Sequence, residues 1–406
     1  VKADGFIDLT DSYFKTHQSG GGHATTSFSI DSLADDVILS GSIIDIEYKN
    51  NGNPTFTFKA YKDLQADNLT ITTVKSKNNR IADITFESVT GNVNISDSLI
   101  GLDNEYDPRL KVRSYENAVI AQRVTIYACS FPVTPMLRAA TSLDFTDAII
   151  IKNKAEPLTL LCDNGIILGT DSKLMQESTG NALYIYVGTN GGGTGSITLT
   201  DAFITNNGAL TSIKTGIGDV TATRVTINQA GQVEIFTTNG DIFANWLKIP
   251  SSQGTMTIQT ERGKIRLHSA NLSTSLDSIH EIIVTSSSNG NVEMPSAYLH
   301  AYKGRILLTS RSYIEGTGMM AVSKNGYIEM RVEENLYLNA SNIQVPKDNS
   351  NPNFRCFGKE DGSPIGVLYV QDLKLTTNGV TPSKGIAYFL DMQPSAGPSP
   401  GTITLV

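Results

Sequence analysis

Asp219 and Asp241 stand 22 residues apart, each directly after a glycine at the start of a similar run. If that interval is one structural repeat, strand spacing would hold the two carboxylates about 5 Å apart, as in a retaining glycosidase. A structural role competes with this one. Asp after Gly is common in turns, and Lys264, at the next equivalent position, can neutralise the column. Asp103, Glu105 and Asp107 in GLDNEYDPRL carry oxygens that suit Ca²⁺, yet the stretch also reads as a solvated loop. The histidines at 17, 23, 268, 280 and 300 show no metal-ligand spacing. No GxSxG, P-loop or Cys/His constellation occurs, and Gly191–Gly193 is a flexible corner with no Lys-Ser/Thr after it. No catalytic residue, cofactor or metal is therefore assigned.

Composition narrows the partners. The 406 residues include 32 Lys plus Arg and 40 Asp plus Glu, for a net charge of −8 with no dense like-charge block. A nucleic-acid partner needs clustered Lys and Arg, so none is expected. No apolar run approaches the ~18 residues of a membrane span. Three cysteines, Cys129, Cys162 and Cys356, lack CxxC spacing and read as small buried apolar residues, with one Cys129–Cys162 bridge left open. Sequons at Asn68, Asn94, Asn271 and Asn339 are no more than chance supplies in so Asn- and Ser-rich a chain. The opening Val1–Gly5 is not a signal peptide and lacks Met, which fits a removed leader, a lost initiator or a fragment.

The elements that must carry these residues come from a repeat. GSITLTDAFI from Gly195, GDVTATRVTI from Gly218, GDIFANWLKI from Gly240, GKIRLHSANL from Gly263 and GNVEMPSAYL from Gly290 share one pattern. Each has Gly first and apolar residues at offsets 2, 4, 7 and 9. About one match is expected by chance, whereas five occur at spacings of 23, 22, 23 and 27. GNVNISDSLI from Gly91, GIILGTDSKL from Gly165 and GYIEMRVEEN from Gly326 are weaker echoes. Offsets 2 and 4 make one strand, the slip to offset 7 a corner, and offsets 7 and 9 a second strand. QVEIFT, TMTIQT and EIIVTS supply a third. Three short strands per coil of 22–27 residues predict a single-stranded parallel β-helix, right-handed by the usual preference. An antiparallel sandwich, leucine-rich repeats and the GGxGxD calcium repeat fit less well. The expected organisation is a cap over 1–34, coils over 35–345, and a C-terminal cap with a Pro/Gly/Ser-rich tail over 346–406.

Register then selects outward residues. Phe243 and Trp246, the only tryptophan, point outward at offsets 3 and 6, with Phe203 and Tyr298 at offset 8. These four form a candidate lateral contact face for sugar rings or protein. Thr402, Ile403, Thr404, Leu405 and Val406 form a candidate assembly tail able to add a strand to a neighbour.

GDIFANWLKIPSSQGTMTIQTERGKIRLHSANLST resembles the filamentous-haemagglutinin type of surface β-helix, which also alternates Gly-x-apolar-x-apolar strands with small-residue corners. The resemblance covers mainly residues 195–340. The three cysteines, the irregular N-terminal third and the lack of a recognisable secretion cap depart from it. It implies an elongated extracellular or cell-surface protein that acts by adhesion or assembly, and it carries over no catalytic residue. The expected function is thus structural or adhesive and non-catalytic, extending to a subunit of a filament assembled end to end, with self-association or a surface polysaccharide or protein as partner. A virion tail spike that binds or cleaves polysaccharide is the alternative, and a polysaccharide lyase or hydrolase the third reading.

Overall fold

Apolar residues at alternate positions give a short strand one buried face, and a coil of three such strands must stack on like coils to cover its ends. The computed structural model describes residues 1–17, 27–47, 54–74, 82–101, 108–130, 134–152, 156–275, 279–346, 354–358, 367–378 and 402–405. Its strands form three parallel sheets, each coil giving one strand to each sheet in turn. The fold is a parallel β-solenoid, as the repeat requires. The chain divides into two compact units, Val1–Gly208 and Ala209–Val406.

In the first unit the coils already begin at Lys2–Ala3, Ile7–Asp8 and Tyr13–His17, inside the stretch expected as a cap. These strands pair with Ser27–Ser32, Val37–Ile38 and Ile43–Glu47 of the next coil. Gly5 holds the decapeptide position of the first coil, but Asp35 holds it in the second, and offset 7 is Ser12 or Ser42 rather than apolar, which is why these coils read as irregular. The interior is aromatic here: Phe58 and Phe86 are register neighbours, stacked at 5.3 Å. Further on, Cys162 stacks between Ala139 and Val187 in the first sheet. It is a free thiol, so the possible bridge to Cys129 is not made.

In the second unit the first sheet carries a buried column, Ile213, Ile235, Ile258, Val284, Leu308 and Met330, that Cys356 ends. Burial pushes both the Cys162 and the Cys356 thiols up to about 12, the ordinary outcome for a small apolar-site cysteine. Val220, Ile242, Ile265, Val292, Ile314 and Leu336 form the matching column of the second sheet. Each such side chain contributes about 1.5–3 kcal/mol by leaving water. Past residue 345, strands Phe354–Phe357, Val367–Gln371 and Lys374–Asn378 continue the same three sheets.

Two corners recur. At the first-to-second corner, a methyl on Gly240 would overlap the carbonyl oxygen of Gly218, and one on Gly263 or Gly290 that of the glycine one coil back. The same carbonyls accept hydroxyls that end the first-sheet strands: Thr237 to Gly218 at 2.9 Å, Thr260 to Gly240 at 2.9 Å and Ser286 to Gly263 at 2.8 Å. The decapeptide glycine is thus required by close approach of coils. At the second-to-third corner one residue per coil is left-handed, with φ between 48° and 70° at such positions as Asp97 (58°), Asp147 (55°), Asp201 (52°), Gly318 (63°) and Ala340 (48°). Short polar residues and glycine tolerate that conformation best.

Candidate contact face

The second sheet of the second unit presents two outward columns. One runs Thr221, Phe243, Arg266, Glu293, Glu315 and Tyr337, and the other Thr223, Asn245, His268 and, beyond a gap, Thr317 and Asn339. Alternation along each strand fixes this: Ile242 and Ala244 face inward, so Phe243 and Asn245 face out. A cavity of about 350 Å³ opens on this face, lined by Thr223, Phe243, Ala244, Asn245, Arg266 and His268. The His268 ring meets Asn245 Oδ1 through Nδ1 at 2.8 Å. Arg266 is half exposed and reaches Glu293 only at 3.8 Å.

Trp246 follows Asn245 at the corner that ends this strand. Its ring lies edge-on to that of His268 with centroids 6.4 Å apart, and the residue is 58% exposed. It also occupies the left-handed corner, with φ of 60°, where its backbone N–H donates to the carbonyl oxygen of His268. A bulky residue in that conformation costs about 1–3 kcal/mol, and here its ring is not repaid by burial.

The other members of the expected face lie elsewhere. Tyr298 is half-buried in the third sheet, two coils after Lys248, with its ring 5.9 Å from that of His300. Phe203 belongs to the first unit, on the third sheet, and is 38% exposed. Of the four, the structure brings together Phe243 and Trp246. Sequence reasoning missed Arg266, Asn245 and His268, although Arg266 shares offset 3 of the decapeptide with Phe243.

Asp219 and Asp241 are neighbours in adjacent coils, but their oxygens are turned to the backbone. The Asp241 N–H donates to Asp219 Oδ1 at 2.8 Å, and the Lys264 N–H to Asp241 Oδ1 at 2.7 Å. The same device recurs in the first unit, where the Asp63 N–H donates to Asp36 at 2.9 Å and the Asn92 N–H to Asp63 at 2.6 Å. The pair is a corner staple. The Asp103–Asp107 stretch and His23 lie outside the described residues.

The tail strand Thr402–Leu405 lies parallel to Val367–Gln371 of its own chain, with Val367 opposite Thr402 and Val370 opposite Leu405. Val406 lies outside the described residues. The backbone pairing of Thr402–Leu405 is therefore made in cis.

No helix among the described residues is long and apolar enough to cross a membrane. No family model, curated protein or solved structure matches the chain, so the likeness to the filamentous-haemagglutinin type rests on the coil pattern alone.

Proposed function

We propose that the protein is a non-catalytic structural and adhesive component of a cell surface, and that the face around Phe243 and Trp246 makes its contact. One observation carries this reading: Trp246 keeps a large exposed ring in a left-handed corner that would be more stable with Asn or Gly. Backbone strain combined with an exposed aromatic ring is costly to the fold and gains its value from something outside it. The stacked coils supply a rigid base for such a face, which keeps the entropy cost of binding low. The test is adsorption of purified protein to whole cells and to immobilised surface polysaccharides. Wild type adsorbs, and Phe243→Ala with Trp246→Ala loses adsorption while keeping its β-sheet circular dichroism. Equal adsorption by both proteins would remove this face from the function.

A second reading, glycan cleavage, is favoured by Glu293 and Glu315, which are register neighbours on the same face. The Tyr313 hydroxyl donates to Glu293 at 2.7 Å, and Thr317 to Glu315 at 3.1 Å. Adjacent strands place such carboxylates near the spacing of a retaining pair. Release of reducing sugar that Glu315→Gln abolishes would establish cleavage and overturn the non-catalytic reading.

A further inference from the structure

We propose that the cavity beside Trp246 takes a carboxylated sugar of an acidic polysaccharide, with the sugar ring against Phe243 and its carboxylate on Arg266. The inference rests on the contact-face reading above and adds the chemical class of the partner. Phe243 and Arg266 are register neighbours on adjacent strands, so an aromatic surface and a guanidinium line the same cavity about one strand spacing apart. That distance is the width of one pyranose ring. Arg266 is the charge available to a ligand: its guanidinium is half exposed, and Glu293 is held on its other oxygen by Tyr313 at 2.7 Å. A planar guanidinium fork matches a carboxylate in two parallel hydrogen bonds, which a neutral sugar does not offer.

Charge points the same way. The chain carries −8 overall, yet the exposed Lys264 stands two residues before Arg266. The Asp219 and Asp241 carboxylates at the corner stay anionic but each turns one oxygen to a backbone N–H, which leaves Arg266 and Lys264 as the cations offered to a ligand. A local cation in an acidic protein draws an anionic ligand to one place and repels it elsewhere. Asn245, His268 and Thr223 line the rest of the cavity with groups that can bond sugar hydroxyls.

The sole tryptophan makes the test local. Trp246 emission and calorimetry follow titration of the full chain with oligogalacturonate, with its methyl ester, and with poly-glutamate. The expected result is saturable binding of oligogalacturonate that is at least tenfold weaker for the methyl ester and at least tenfold weaker in Arg266→Gln. Raising the salt concentration weakens it further. Arg266 is exposed, so the variant keeps the fold, and the ester arm needs no variant at all. Equal affinity for acid and ester would overturn the carboxylate inference while leaving the adhesive reading intact. Poly-glutamate bound as tightly as the sugar would overturn the sugar class in favour of an acidic protein. Neither heat nor emission change with any probe would overturn the inference outright, and the cell-adsorption experiment would still judge the adhesive reading separately.

Discussion

The Thr237 hydroxyl donates to the carbonyl oxygen of Gly218 at 2.9 Å, and a methyl on Gly240 would overlap that same oxygen. One part-buried carbonyl thus demands two residue types, a hydroxyl ahead of it and a glycine beside it. Thr237→Val keeps the volume and strips the donor. The expected cost is about 0.5–1.5 kcal/mol, because the part-buried carbonyl loses its hydroxyl partner. Thr237→Ser keeps the bond and costs less. Gly240→Ala forces adjacent coils apart and costs more than either. Urea unfolding followed by circular dichroism ranks the three, and a Thr237→Val protein as stable as wild type would contradict the assignment.

The Asp219–Asp241 staple makes a different prediction from a catalytic pair. Asp241→Asn keeps an oxygen for the Lys264 N–H and changes stability little. Asp241→Ala removes it and costs about 1 kcal/mol, the usual worth of one such bond. Neither variant alters binding of any glycan at the Phe243 face. Loss of ligand binding in Asp241→Asn without loss of stability would return this pair to the functional site.

Trp246 offers a trade between stability and contact. Trp246→Asn relieves the left-handed strain and is expected to stabilise the fold by about 1 kcal/mol, since Asn adopts that corner readily. The same change removes the exposed ring and weakens adsorption to cells. A variant that unfolds earlier than wild type would mean the ring holds the fold through His268.

Acid stability turns on His300. Burial pushes its pKa below the ordinary 6.5, and the nearby Lys324 charge lowers it further. The rings of Tyr298 and Tyr302 flank it, Ser273 lies 3.5 Å from Nδ1, and Nε2 is buried without a partner. The unfolded chain therefore binds this proton more readily than the folded one. The stability this group supports is present above pH 6.5 and is lost as pH falls through its folded value. Thermal melts at pH 7.5, 6.5 and 5.5 are expected to fall more steeply for wild type than for His300→Gln. Parallel curves would rule His300 out.

Much of the coil was legible because the decapeptide keeps its glycine, two strand faces and the corner between them at fixed offsets. GIILGTDSKL from Gly165 sits in that register, with strands Ile166–Thr170 and Lys173–Gln176. GYIEMRVEEN from Gly326 does not: it opens the first-sheet strand Ile328–Val332, because Gly326 serves the corner above Gly304. Spacing alone cannot tell one glycine corner from another. The left-handed position at offset 6 was hidden because Arg224, Trp246, Ser269 and Ser296 occupy it as well as Asp201. The contact face was half visible for a related reason. Phe243 announces itself by type, whereas Arg266 matters only through its neighbour one coil away.

The tail yields the last prediction. Strand Thr402–Leu405 covers the outer edge of Val367–Gln371 in the second sheet. A bare parallel edge invites pairing with another chain, so a strand that covers it in cis restrains association. Deleting 400–406 uncovers that edge, and concentration-dependent association is expected to rise. A tail donated to a neighbour predicts the reverse, since deletion would then remove the joining strand. Sedimentation velocity across a concentration series separates the two. Larger species in the deleted chain support the cis cover, and larger species confined to the full chain would show that the strand is exchanged between molecules.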